Sequence, residues 1–283
     1  MQPLGNARLG QLHATGQHPD RPERLRILLD ELEDWRHVER LATAEELERC
    51  HRASHVERVR SIAEPTWLDV DTIASETSWD AATLAAGLAI AAVERDAFAL
   101  VRPPGHHALA ERAMGFCLFN NVAVAARHAQ AELAIERVAI VDLDVHHGNG
   151  TQAIFTGDPS VLYVSLHEWP FYPGTGGPQE QGETLLNVPL RAGSGDLEYV
   201  DAFTTEVEPK VRAFDPELVI VSAGFDAHVH DPLADMAVTE AGFREIANRC
   251  SALGPRIAAV LEGGYNLKTL PALVRAALDG FNG

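Results

Sequence analysis

Residues 138–151 read VAIVDLDVHHGNGT, and this stretch restricts the fold more than any other. Its first half is a continuous apolar, β-branched run, the pattern of a strand buried on both faces. Its second half crowds Asp142, Asp144, His146, His147 and Asn149 together, with Gly148 and Gly150 ending the run. Burying unpaired charge costs several kcal/mol or more. A salt-bridged cluster of satisfied histidines lowers that cost, and a divalent cation removes it. Asp144 and His146 sit two apart, so continuation of the strand would turn both side chains to one face. Two such ligands suit a Zn²⁺ ion that takes a third protein ligand and leaves a position for water.

The rest of the chain supplies partners for that strand. Apolar runs predict strands over 98–101, 138–145, 161–166, 218–222 and 257–261. Between them, periodic patterns predict helices over 23–35, 43–50, 55–62, 79–95, 119–133, 151–155, 197–214, 239–251 and 270–281. Thr43 and Ser78 are the expected caps of the second and fourth helices. The first seventeen residues show no strong period. Strands alternating with helices require crossover connections. The expected fold is therefore α/β: one domain over 1–283, with a mainly parallel sheet and helices on both faces. Ligands in such folds bind beyond the C-terminal ends of the strands. His106 and His107, Asp144 and His146, Ser165 and His167, Asp226, and Tyr265 each fall at or just after an expected strand end.

Charge narrows the function. The 283 residues carry a formal charge of −18, which argues against direct binding to nucleic acid. The three cysteines, Cys50, Cys117 and Cys250, form no CxxC pair and suggest neither a disulfide framework nor a thiolate metal site. No secretory pattern opens the sequence, and no apolar run approaches the ~18 residues of a membrane span. A cytoplasmic protein with no membrane partner is expected.

A third metal ligand should come from another strand end. Asp226, in VSAGFDAH, follows the buried run 219–221, whereas His228, His230 and Asp231 compete from further along the loop. Two carboxylates and a histidine leave a zinc ion open, able to lower the pKa of water to roughly 7 and to polarise a carbonyl. Hydrolysis also needs a proton shuttle. His106-His107, held by Pro103, Pro104 and Gly105, can supply it, with Asp142 and Asn149 as orienters of the two rings through Nδ1. Tyr265 follows Gly263-Gly264, and its hydroxyl could donate to a developing oxyanion.

The motifs RPPGHHA, GFCLFNN, DLDVHHGNGT, VSLH, YPGTG, SAGFDAH and LEGGYNL occur in this order. From His18 to Leu267 the chain resembles the zinc-dependent histone deacetylase family, with its arginase-like fold. That family includes bacterial acetylpolyamine amidohydrolases and acetoin-utilisation proteins. The resemblance implies that Asp144, His146 and Asp226 bind zinc. It implies that His107 is general base and then general acid, that His106 backed by Asp142 is its electrostatic partner, and that Tyr265 polarises the substrate carbonyl. Gly115, Phe116 and Tyr172 match the channel that grips an acyl-lysine side chain, and Asp71 matches a rim carboxylate that holds the substrate backbone. Asp142, Asp144, His146, Ser165 and Leu166 match a potassium site, and Phe155, Asp158 and Val161 a second one.

The chain also departs from the pattern. Tyr172 stands where many members have phenylalanine, and Asn149 where some have aspartate. The chain is short for the family, which implies trimmed rim loops. Leu233 stands where a polyamine-specific branch has glutamate, and an apolar residue there cannot pair with a buried ammonium. The expected activity is therefore zinc-dependent removal of an acyl group from Nε-acetyl-lysine. The alternative is an acetylpolyamine or small-amide deacetylase on the same site, and Fe²⁺ or Co²⁺ could replace zinc. A silent acyl-lysine binding module should lack the histidine pair or the tyrosine. A di-manganese ureohydrolase needs more aspartate ligands than the motifs supply.

Overall fold

A computed structural model describes residues 1–283. Eight strands form one sheet: β1 (Pro3–Gly5), β2 (Arg36–His37), β5 (Phe98–Ala99), β6 (Val138–Asp142), β7 (Val161–Glu168), β8 (Leu185–Leu190), β9 (Leu218–Ala223) and β10 (Ile257–Leu261). Their order is β2-β1-β5-β10-β9-β6-β7-β8, and every pairing is parallel. β6, β7 and β9 are buried at every residue. That is why they read as unbroken apolar runs rather than as alternating ones. A separate antiparallel hairpin, β3 (Thr66–Trp67) and β4 (Ile73–Ala74), stands outside the sheet.

The helices divide into two sets. On one face α4 (Ser78–Arg95) packs on α5 (Asn121–Glu132), with α2 (Ala44–Glu48), α3 (Ala53–Arg60) and α6 (Asn149–Phe155) around them. On the other, α9 (Glu240–Ser251) packs on α10 (Leu270–Asn282), flanked by α1 (Glu23–Glu31) and α7 (Asp196–Ala202). The alanine-rich middle of α4 is buried along its whole length, so small side chains let it approach its neighbours closely. One cluster of 79 buried apolar residues runs from Leu4 to Phe281, so the chain has a single core.

The register positions the site. Asp142 at the end of β6 lies opposite Ser165 on β7 and Ser222 on β9, and Ala223 lies opposite Leu261 on β10. The chain therefore leaves β6, β9 and β10 side by side, with Asp144, Asp226 and the 262–265 turn just beyond.

Several boundaries differ from the sequence pattern. β6 stops at Asp142 rather than at 145, because the carboxylate of Asp142 accepts the amide of Asp144 (3.2 Å) and turns the chain out of the sheet. β7 continues to Glu168, so Ser165 and His167 lie inside the strand. Sequence periodicity missed β8: it lies at the sheet edge, is only half buried and contains Asn187 and Pro189. It also missed β1 and β2, which are too short to show a period. Helix 23–35 ends at Glu31, where Leu32 adopts extended dihedrals and the Trp35 indole returns to the carbonyl of Leu29 (2.9 Å). Ser78 does not cap α4. It is the first helical residue, and its hydroxyl is engaged with the amide of Ser75 and with His13 Nδ1. Thr43 does cap α2, in a reciprocal capping box with Glu46. Helix 197–214 is interrupted by a π-helical turn, Phe203–Val207, before α8 (Glu208–Phe214).

Candidate active site

Asp144, His146 and Asp226 meet at one point. A ligand atom from each lies within 4.8 Å of the others. His146 Nδ1 is 3.1 Å from Asp144 Oδ1 and 3.2 Å from Asp226 Oδ2. The convergence does not come from strand alternation, since both Asp144 and His146 lie in the turn after β6. It comes from backbone anchors. The amide of Gly263 donates to Asp144 Oδ2 (2.8 Å), and the amide of Val145 donates to Asp226 Oδ1 (2.9 Å). Each carboxylate thus has one oxygen pinned and turns the other towards the imidazole.

The donor set fits a zinc ion. Asp144 and Asp226 are 1% and 0% exposed, and two buried anions face a single nitrogen. A cation between them satisfies all three groups. Gly263 belongs to the same fit: a Cβ there would overlap Asp226 Oδ2 and Asp144 Oδ2. Asp226, not His228 or His230, completes the group.

Proton affinities follow the charges. Burial raises Asp226, and the nearby Asp144 adds to the effect, bringing it to about 7. Burial opposes ionisation of Asp144 as well, but His106 and His146 hold it below the usual carboxylate range. Burial pushes His146 down, and its hydrogen bonds to Asp144 and Asp226 override this and raise it to about 10.

The histidine pair lies beside this group, on the loop after β5. The two rings are 4.0 Å apart between centroids. His106 Nδ1 is 3.1 Å from Asp142 Oδ2, and His107 Nδ1 is 2.8 Å from Asn149 Oδ1. Tyr163 also donates its hydroxyl to Asp142 Oδ2 (2.9 Å), fixing that carboxylate from behind. The two imidazoles differ sharply. Burial disfavours the charge of His106, but Asp144 and Asp142 outweigh it and raise its pKa to about 10. Burial and the charges of His106 and His146 push His107 well below its ordinary value. The surroundings favour the charged form of His106 and the neutral form of His107.

A pocket of about 220 Å³ opens onto these groups, lined by Asp71, His107, Gly115, Phe116, His146, Phe171, Tyr172, Leu233 and Tyr265. It contains every channel and rim position expected from the sequence. Tyr172 stands edge-on to His107 (5.2 Å), Phe116 edge-on to Tyr265 (5.6 Å), and Phe171 stacks on His146 (5.4 Å). Asp71 lies in the connection between the two strands of the small hairpin, where its Oδ1 accepts the amide of Gly115 (3.1 Å) and its carbonyl lies 2.9 Å from His18 Nε2. Burial, then the charge of Asp71, raises the Tyr172 phenol. Burial raises Tyr265 too, against the opposing charge of Arg24.

Two residues escaped the sequence reading, and a third was read there only as a competing metal ligand. Arg24 is fully buried on α1, with its guanidinium 4.7 Å from the Tyr265 ring centroid. It pairs with Asp20 (2.8 Å) and donates to the carbonyls of Gly264 (2.8 Å) and Glu262 (2.6 Å). An arginine beside Leu25 and Leu28 on the apolar face of α1 was the available signal. Glu262, also fully buried, accepts the amides of Gly105 (2.6 Å) and His106 (3.2 Å) and so ties β10 to the histidine loop. Asp231, the competing candidate from the sequence, stands outside the metal group and accepts the amide of Tyr265 (2.7 Å).

Comparison with known proteins identifies the family. The family model of the histone deacetylase domain matches residues 18–281. Histone deacetylase 15 of Arabidopsis thaliana is 44% identical over 92% of the chain and 52% of its own length. A probable deacetylase of Methanothermobacter thermautotrophicus is 40% identical over 96% of the chain and 88% of its own length. The crystal structure of the HDA15 HD domain superposes with a TM-score of 0.94 at 40% identity, covering 99% of this chain and 88% of that one. The chain belongs to the histone deacetylase family, on the deacetylase-like α/β fold. It spans about half the length of the Arabidopsis relative, 52%. No helix is long and apolar enough to cross a membrane.

Proposed function

We propose that the chain is a zinc-dependent amidohydrolase that removes an acetyl or related acyl group from Nε-acyl-lysine. The observation that carries this reading is the convergence of Asp144, His146 and Asp226 behind a pocket that His146, His107 and the Tyr265 phenol line together. Asp144, His146 and Asp226 would hold the ion, one per chain. Bound there, zinc supplies an electrophile for the carbonyl and lowers the pKa of an attacking water.

The protein groups do the rest. Neutral His107 takes a proton from the attacking water, while Asn149 holds its ring through Nδ1. Cationic His106, backed by Asp142, stabilises the negative charge that develops nearby. The Tyr265 hydroxyl donates to the tetrahedral oxyanion. His107, now protonated, gives its proton to the leaving amine. Gly115, Phe116 and Tyr172 enclose the aliphatic part of the lysine, and Asp71 accepts backbone N–H groups of the substrate at the rim. Leu233 presents an apolar wall, which favours acyl-lysine over a polyamine whose second ammonium would be buried.

A structural potassium ion belongs to the same reading. Asp142, Asp144, His146, Ser165 and Leu166 would supply its oxygens, and Asp142 and Ser165 are paired in register. A second ion near Phe155, Asp158 and Val161 has less support, because the Asp158 carboxylate is engaged by Arg127 (2.7 Å) and Ser160 (2.8 Å). Three buried, unpaired cysteines support a reducing, cytoplasmic setting, and the charge of −18 supports a substrate partner other than nucleic acid.

The test is metal analysis with a panel of acylated amines. Zinc removal should abolish acetate release from an acetyl-lysine peptide, and zinc should restore it. Higher catalytic efficiency on acetylputrescine than on the peptide would move the assignment to the polyamine alternative. No hydrolysis of either substrate by the zinc-loaded protein would refute the amidohydrolase reading.

A further inference from the structure

Tyr265 follows two consecutive glycines, and Gly264 has φ +115°. A peptide unit flanked by glycine rotates at little cost, so the turn itself does not fix where the tyrosine points. Two charged side chains from elsewhere in the fold do. The peptide joining Gly264 to Tyr265 is gripped at both ends. Arg24 Nε donates to the carbonyl of Gly264 (2.8 Å), and Asp231 Oδ2 accepts the amide of Tyr265 (2.7 Å). Hydrogen bonds to charged groups are about twice as strong as neutral ones. A cation on the oxygen and an anion on the N–H also oppose rotation of the peptide plane, since a flip would place each charge against the wrong end of the dipole.

Asp231 has further links to the pocket wall. Its Oδ2 accepts the amide of Asn266 (3.3 Å) and its Oδ1 the amide of Leu233 (3.0 Å). Asn266 Nδ2 returns a bond to the carbonyl of His230 (2.6 Å). One carboxylate, 8% exposed, thus joins the loop after Asp226 to the turn after β10, and Leu233 and Tyr265 both line the pocket. Asp231 is outside the metal group.

We propose that Asp231 is a positioning residue for Tyr265: it locks the Gly264–Tyr265 peptide so that the phenol is presented to the substrate carbonyl. This rests on Tyr265 acting as the carbonyl donor. Asp231→Asn keeps the shape but puts an NH₂ or a neutral oxygen where an anion now accepts three amides.

The experiment is a double-mutant cycle on the zinc-saturated protein with an acetyl-lysine peptide, using Asp231→Asn, Tyr265→Phe and the pair. Asp231→Asn alone should lower kcat about 10-fold, leave KM nearly unchanged and leave zinc affinity within about 2-fold. In the Tyr265→Phe background it should change kcat by less than about 2-fold, because the hydroxyl it positions is gone. Equal losses in both backgrounds would overturn the inference, as would a fall in zinc affinity that tracks the fall in kcat, or a wild-type Asp231→Asn. If Asp231→Asn does not fold, Asp231→Ser, which keeps one acceptor, enters the same cycle with the same criteria. Tyr265→Phe without effect by itself would refute the functional reading and this inference with it. A large Tyr265→Phe effect with additive loss from Asp231→Asn would refute the inference alone.

Discussion

His107 Nδ1 lies 2.8 Å from the side-chain oxygen of Asn149, a neutral acceptor rather than a carboxylate. The His107 ring is thereby oriented without being made more basic, while burial and the charges of His106 and His146 push its pKa down. Asn149→Asp places a negative charge at that nitrogen. It should raise the pKa of His107, which in the proposed reaction works as a base only when neutral. The acid limb of the kcat/KM profile should therefore move to higher pH, by about one unit or more. A pH–rate profile of the variant that superposes on wild type would separate His107 from the proton transfer.

The support under Tyr265 makes a stability prediction. Asp20 is fully buried between Arg24 (2.8 Å) and Arg102 (3.3 Å). Burial opposes its ionisation, but Arg102 and Arg24 prevail and lower its pKa. A carboxylate depressed in the folded state contributes stability at pH values above its unfolded pKa, near 3.8, and loses it as pH falls through the lower folded value. Asp20→Asn leaves two buried guanidinium groups short of an anion and should cost about 3–5 kcal/mol at neutral pH. Urea unfolding at pH 7 and at progressively lower pH measures this. The gap between wild type and variant should narrow only in the acid range, and a gap of equal size at every pH would contradict the account.

Leu233 tests substrate choice. It lines the pocket on the loop that Asp231 ties to Tyr265. Leu233→Glu adds an anion to an apolar wall and should favour substrates carrying a second ammonium. The ratio of kcat/KM on acetylspermidine to that on an acetyl-lysine peptide should rise about 10-fold or more, the scale of one charge pair shielded from bulk water. An unchanged ratio would mean that substrate does not reach this wall.

Much of this site was legible in the sequence because its parts are local motifs at strand ends. The unbroken run 138–142 marked a buried parallel strand, and the histidines and carboxylates after it had no reason to cluster without an ion or a reaction. The chain's exit from the sheet was not legible. Asp144 and Asp226 are aimed by the amides of Gly263 and Val145, which are contacts across the fold that no spacing rule encodes. Arg24, Glu262 and the actual role of Asp231 escaped for the same reason, since each acts on the backbone of a distant turn. Strands β1, β2 and β8 were missed because short or half-buried strands lack the apolar run that marks the centre.

The central claim is that Tyr265 completes an amide-hydrolysing centre with His107 and the metal group. Steady-state kinetics of zinc-loaded Tyr265→Phe on an acetyl-lysine peptide test it most directly. The account predicts a fall in kcat of about 10²-fold or more, the scale of one lost oxyanion donor, with zinc content unchanged. Wild-type turnover in that variant, at full zinc occupancy, would contradict it.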